Sequence, residues 1–351
     1  MTEVCYVKKD IASRPLVQQI AERNQVPDEY LHKNEFPKAI DSPNLWKDTL
    51  LIDFSRLSSS SPITAQDELD KLRFALSSWG CFMVVNHGIE QQLLDDIIGV
   101  TKEFFQLPVE EKMKCATNDI LQGYDTDAVC QGKLTTNWND RLFLTVYPKT
   151  HVNLLFWPEQ PQQFREVIHK FGEQIAATAE VIYKAMARSL NADEDCFVKQ
   201  GQKGFALGRF TFYPKCPRSE RVLGSRPHLD GSLTTIVLAD EEGLHIQNDN
   251  MWYKVPVIPG ALFFNCGDFA EVFSNGIFKS TLHRVVTNST KDRTSVAAFF
   301  TLDANHEVGP LDPFVTKDRP AKYKKFTPID YMMKMHENDV PGRNALDFML
   351  L

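Results

Sequence analysis

The sequence predicts a mainly β protein with α-helices: a double-stranded β-helix, or jelly roll, braced by surrounding helices. Three observations predict it. Between Arg226 and Phe300, short β-branched and aromatic runs alternate with turn residues at the spacing of a multi-stranded sandwich. Just before them, residues 204–213 alternate as a single long strand running into the core. Between Pro161 and Leu190, apolar residues such as Phe164, Val167, Ile168, Phe171, Ile175, Ile182 and Met186 recur every three or four positions. That is the stripe of a long helix laid against a sheet.

Taken in order, residues 1 to about 48 form an extended, partly helical leader interrupted by Pro27, Pro37 and Pro43. Residues 50–54 are the first core strand. After the serine-rich loop at 58–61, Thr64 is expected to cap a helix carrying Leu69, Leu72, Ala75 and Trp79, and Gly80 ends it. Residues 81–85 are a buried strand closed by the turn Asn86-His87-Gly88. His87 has no partner at ligand spacing and is expected to be structural. A second amphipathic helix covers 90–105 until Leu107-Pro108 stops it. Residues 112–150 hold Tyr124, Trp138, Asn139, Asp140 and a strand at 141–147. Beyond Pro310 the chain turns polar and helical, with Tyr323, Ile329, Tyr331 and Met332 as its apolar side. The apolar end at 348–351 is expected to pack.

Composition narrows the function classes. The 351 residues carry a net charge of −7 with both signs mixed, and basic residues occur only in short pairs, so no nucleic-acid surface is expected. The 43% apolar content is enough for a substantial core. Seven scattered cysteines without a CxxC suggest neither a zinc ribbon nor a disulfide framework. No apolar signal region and no run of about 20 apolar residues occur. A soluble cytoplasmic protein is expected.

The chemistry concentrates in residues 227–295. Side chains at i and i+2 of a strand share a face, so His228 and Asp230 can reach one metal ion. His283 sits on another strand-like run. Two histidines and one carboxylate on one face leave adjacent coordination positions open, the facial triad of non-haem Fe(II) sites. Arg293 and Ser295 repeat the i, i+2 spacing ten positions after His283, with the polar turn 287–292 suggesting a hairpin between them. A guanidinium fork with a hydroxyl on the same face holds a carboxylate. Each signal alone is weak; the order and spacing together are specific.

The motifs Arg226-Pro227-His228-Leu229-Asp230-Gly231, Asn265-Cys266-Gly267-Asp268, Ser274-Asn275-Gly276 and Lys279-Ser280-Thr281-Leu282-His283-Arg284 occur in this order. With Trp79-Gly80-Cys81-Phe82, Asn86-His87-Gly88 and Tyr213-Pro214-Lys215-Cys216-Pro217, they resemble the plant 2-oxoglutarate/Fe(II)-dependent dioxygenases of the isopenicillin-N-synthase-like family. The similarity runs from about Leu50 to Leu351.

The resemblance implies one structural unit in three parts. Residues 1–110 would pack on the core, 111–310 would form the catalytic jelly roll, and 311–351 would close over the site. It implies Fe(II) on His228, Asp230 and His283, with O2 as oxidant and ascorbate as reductant. The far carboxylate of 2-oxoglutarate would lie on Arg293 and Ser295. Tyr213 and Thr211 stand where the family often has Asn-x-Tyr; both family residues touch 2-oxoglutarate, so Thr211 loses an amide contact or leaves it to water. His245 stands where Gln is common, and a surface or pocket-rim position is expected for it. A monomer acting on a small ring-bearing plant metabolite by hydroxylation or O-demethylation follows, yielding succinate and CO2. Four alternatives stay open: a hormone-inactivating or hormone-forming oxidase of the same fold, an oxidase with the same triad that does not consume 2-oxoglutarate, a catalytically silent small-molecule-binding relative, and a zinc hydrolase.

Overall fold

The computed structural model describes residues 15–116, 122–126, 136–202, 204–337 and 345–351. The leader before residue 15, the part of the expected pocket wall at 117–121 and 127–135, Cys5 and Cys130 lie outside these residues.

Twelve strands are described: β1 (Leu51–Asp53), β2 (Cys81–Val85), β3 (Gly123–Thr126), β4 (Asp140–Tyr147), β5 (Gly204–Tyr213), β6 (Leu223–His228), β7 (Thr234–Ala239), β8 (Leu244–Asn248), β9 (Met251–Lys254), β10 (Leu262–Cys266), β11 (His283–Val286) and β12 (Arg293–Leu302). They form the two sheets of a jelly roll. The larger has the order β1-β2-β10-β7-β12-β5-β4-β3, and the smaller β6-β11-β8-β9.

The larger sheet sorts its side chains by the two-residue period. Phe82, Phe264, Ile236, Ala298, Phe210 and Leu142 share the buried outer face. The Phe164–Ser189 helix covers that face, with Phe164 against Phe210 at 5.6 Å between ring centroids and Tyr183 against Phe300 at 6.4 Å. Gly172 marks the crossing, because a Cβ there would lie 2.3 Å from the Val146 carbonyl oxygen. Gly80 ends the Ala75–Trp79 turn at φ +69°, which favours glycine. No helix among the described residues is long and apolar enough to cross a membrane.

Several local expectations are corrected. The early helix starts at Pro62, and Ser61 caps it, its hydroxyl accepting from the Thr64 N–H at 3.4 Å. Proline fits there because the first helical N–H has no helical partner. β11 and β12 are not a hairpin. β11 lies between β6 and β8, whereas β12 lies between β7 and β5. Pairing ten residues of β12 with β5 and six with β7 satisfies far more backbone than a hairpin to the four-residue β11 would. At the C-terminus Met349 is buried, but Leu350 and Leu351 are exposed.

Candidate active site

His228 is the last residue of β6 and Asp230 lies just past it, so the shared-strand expectation is corrected: a turn, not pleat alternation, brings the carboxylate round. That turn is fixed by backbone bonds from the Asp268 N–H to the Asp230 carbonyl (2.8 Å) and from the Gly267 N–H to the Leu233 carbonyl (3.0 Å). His283 opens β11 and pairs directly with His228 across the smaller sheet. The ligand atoms of His228, Asp230 and His283 all lie within 4.8 Å of one another. Asp230 Oδ1 is 3.7 Å from His228 Nε2 and 3.6 Å from His283 Nε2.

The remaining polar atoms of the three residues are already engaged. Nδ1 of His228 meets the Arg226 carbonyl at 2.7 Å, and Nδ1 of His283 meets the Thr281 carbonyl at 2.9 Å. A carbonyl only accepts, so each ring carries its proton on Nδ1 and leaves Nε2 bare. Asp230 Oδ2 accepts from Thr235 Oγ1 (2.6 Å) and Asn265 Nδ2 (2.9 Å), leaving Oδ1 to the site. Burial would push the Asp230 carboxyl up; the two imidazoles and these two donors outweigh it and hold it below the usual carboxylate range. Two bare imidazole nitrogens and one carboxylate oxygen suit a divalent iron, with outer partners of the kind that orient metal ligands. The His228 side chain is 40% exposed against 3% for Asp230, so the site opens on the His228 side.

Thr235 and Asn265 escaped the sequence reading. They face each other across β7 and β10, and no spacing rule joins residues thirty positions apart.

On β12, Arg293 faces Tyr213 of β5 and Ser295 faces Thr211, so all four side chains share the inner face. The Arg293 guanidinium lies 5.1 Å from the Tyr213 ring centroid, and its Nε donates to the Glu241 carbonyl at 2.9 Å. Its Nη1 is buried with no partner. A buried guanidinium N–H without an acceptor is costly; it fits an anion arriving there, and Met83, Val237 and Phe263 line the cavity beside it. Thr211 is buried, and its hydroxyl accepts from Arg209 Nε at 3.2 Å.

On the same face, Phe143 of β4 stacks on Phe299 of β12 at 5.9 Å, and Thr235, which holds Asp230, pairs with Phe299. Aromatic surface thus borders the metal ligands.

His245 is not on the surface or the pocket rim. It is buried opposite Arg284, whose Nε donates to its Nδ1 at 3.4 Å. His87 is structural as expected, holding the Gly260 carbonyl at 3.0 Å and the Ile89 N–H at 3.2 Å. The only cluster of three metal-binding side chains among the described residues is His228, Asp230 and His283.

Comparison with known proteins places this geometry. The model of the 2OG-Fe(II) oxygenase superfamily matches residues 204–302, and that of the non-haem dioxygenase N-terminal region matches 51–163. Jasmonate-induced oxygenase 4 of Arabidopsis thaliana is 35% identical over 80% of this chain and 81% of its own. Codeine O-demethylase of Papaver somniferum is 32% identical over 96% of both. The crystal structure of JOX2 in complex with 2OG, Fe and JA superposes with a TM-score of 0.86 at 29% identity, covering 96% of this chain and 98% of that one. The chain belongs to the 2-oxoglutarate- and Fe(II)-dependent oxygenases and is a non-haem dioxygenase that uses Fe(II), 2-oxoglutarate and O2.

Proposed function

We propose that His228, Asp230 and His283 hold the iron, that Arg293 and Ser295 hold the distal carboxylate of 2-oxoglutarate, and that Tyr213 and Thr211 flank the co-substrate. The enzyme hydroxylates or O-demethylates a small ring-bearing metabolite. The observation that carries the reading is the convergence of three bare ligand atoms whose neighbouring polar atoms are all engaged.

The bound iron and co-substrate supply the oxidising chemistry: one oxygen atom of O2 enters the substrate C–H bond and the other enters succinate, with loss of CO2. The chain does the rest. Thr235 and Asn265 hold Asp230 ionised with one oxygen presented. The Arg226 and Thr281 carbonyls fix both imidazole tautomers. Arg293, whose buried Nη1 has no partner within the chain, would neutralise the distal carboxylate of 2-oxoglutarate. Phe143 and Phe299, with the Arg141 and Arg209 guanidinium groups over the Phe143 ring, supply aromatic surface on the inner face suited to a ring-bearing substrate. When the oxidised carbon is an O-methyl, the hemiacetal product collapses to the phenol or alcohol and formaldehyde. The relationship to codeine O-demethylase supports this outcome. A second reading, a hormone-directed oxidase, is supported by the likeness to JOX2 in complex with JA.

The test is succinate release and O2 uptake by the anaerobically reconstituted Fe(II) protein, with 2-oxoglutarate and a panel of methoxylated phenolics, alkaloids and the JOX2 ligand JA. Substrate-dependent succinate that disappears in Asp230→Ala supports the function, and formaldehyde separates demethylation from hydroxylation. Turnover of JA alone favours the second reading. No 2-oxoglutarate binding by the Fe(II) protein refutes both.

A further inference from the structure

We infer that Arg209 is a positioning residue for the co-substrate and acts through the hydroxyl of Thr211. The inference rests on the reading that Thr211 lines the 2-oxoglutarate site.

Arg209, Thr211 and Tyr213 alternate along β5 and so share the inner face with Ser295 and Arg293. Arg209 Nε lies 3.2 Å from Thr211 Oγ1. A guanidinium has donors only, so the hydroxyl must be the acceptor. A hydroxyl carries one proton on a freely rotating bond. With Arg209 filling one lone pair, that proton turns away from the guanidinium and is free to meet an acceptor elsewhere on the inner face.

The guanidinium is itself held. Its Nη2 donates to Asn139 Oδ1 at 3.4 Å, and the Asn139 Nδ2 donates to the Gly224 carbonyl at 2.7 Å. Gly224 lies on β6, the strand that ends at His228. The guanidinium carbon also lies 5.9 Å from the Phe143 ring centroid. The chain β6–Asn139–Arg209–Thr211 therefore ties the co-substrate contact to the strand that delivers a metal ligand. An asparagine at position 211 would present its amide donors from a planar group without help. A lone threonine would present a donor for only part of the time. Thr211 with Arg209 behind it presents one constantly, so the pair does the work of the amide.

The experiment measures 2-oxoglutarate affinity calorimetrically on the anaerobic Fe(II) protein, without turnover, in a mutant cycle. Arg209→Gln and Thr211→Val should each weaken binding about ten-fold, the worth of one hydrogen bond to a charged group. The double variant should be no weaker than either single one. In a Thr211→Asn background, which brings its own donor, Arg209→Gln should change affinity by less than about two-fold. A merely structural or purely charge-based role for Arg209 would not be relieved by Thr211→Asn. Unfolding midpoints establish that each variant is folded, and Arg209→Met, which keeps the length of the side chain but has no donor, replaces Arg209→Gln in the cycle should the latter not fold.

Effects that multiply in the double variant, an Arg209 effect that persists in the Thr211→Asn background, or an unchanged affinity in Arg209→Gln would each overturn the inference. Arg293→Leu separates the two levels. If it weakens 2-oxoglutarate binding by about two orders of magnitude while Arg209→Gln leaves it intact, this inference fails and the proposed function stands. If wild type does not bind 2-oxoglutarate, both fail.

Discussion

Acidification from pH 7.5 to 5 titrates His245 against the fold. The side chain is buried on β8 between Arg284 of β11 and Lys254 of β9. Burial first, then the Arg284 and Lys254 charges, push its pKa down to about 4. Arg284 cannot move away to relieve this, since its guanidinium sits 4.2 Å from the Trp252 ring centroid and donates to the Pro37 carbonyl at 2.6 Å. In the unfolded chain the imidazole titrates near 6.5. The folded pKa is the lower one, so the unfolded chain binds the proton more readily. The stability tied to neutral His245 is therefore complete above pH 6.5 and is lost as pH falls from 6.5 towards 4. At pH 5 the loss works out at about 2 kcal/mol, from about 1.4 kcal/mol per pKa unit over the part of the shift then titrated. His245→Gln keeps an acceptor for Arg284 without a titrating group. Urea unfolding of wild type and His245→Gln, followed by tryptophan fluorescence at pH 7.5 and 5, reads the difference directly. Wild type should lose about 2 kcal/mol more than the variant on acidification. Parallel losses, within about 0.5 kcal/mol, would refute the burial argument.

Three further outcomes follow from the site and the fold. Asn265→Ala removes one of the two donors that orient Asp230. Metal titration should show affinity about 10- to 100-fold weaker, with the far-ultraviolet circular dichroism unchanged. Arg293→Leu should raise the KM for 2-oxoglutarate by about two orders of magnitude by deleting a charge-assisted pair, while apparent affinity for the oxidised substrate changes little. Gly172→Ala drives a methyl into the Val146 carbonyl where the long helix crosses β4. It should lower stability by about 1–3 kcal/mol in denaturant unfolding, with activity per folded molecule retained.

Much of the site was legible because its chemistry is local. The identities of His228, Asp230 and His283 as a ligand set, and of Arg293 with Ser295 on one strand face, were readable from residue type and order, although the strand geometry expected to join His228 to Asp230 was not the one that forms. The strands at 81–85 and 204–213 and the long helix came from periodicity, which follows from backbone geometry alone. The tertiary structure decided what faces what. β11 and β12 are neighbours in sequence yet lie in different sheets, because β12 buries one face under the Phe164–Ser189 helix and pairs over its full length with β5. Asp230 reaches the histidines through a turn held by Asp268, not through strand alternation. Asn265 and Thr235 meet only when β10 and β7 pair in one register. The same holds for Arg209 and Asn139, and for His245 beneath Arg284. Single residues carry donor chemistry and local period, and these the sequence determined by itself. Which donors converge depends on strand register, set by burying whole faces across long separations, and only the folded chain decides that.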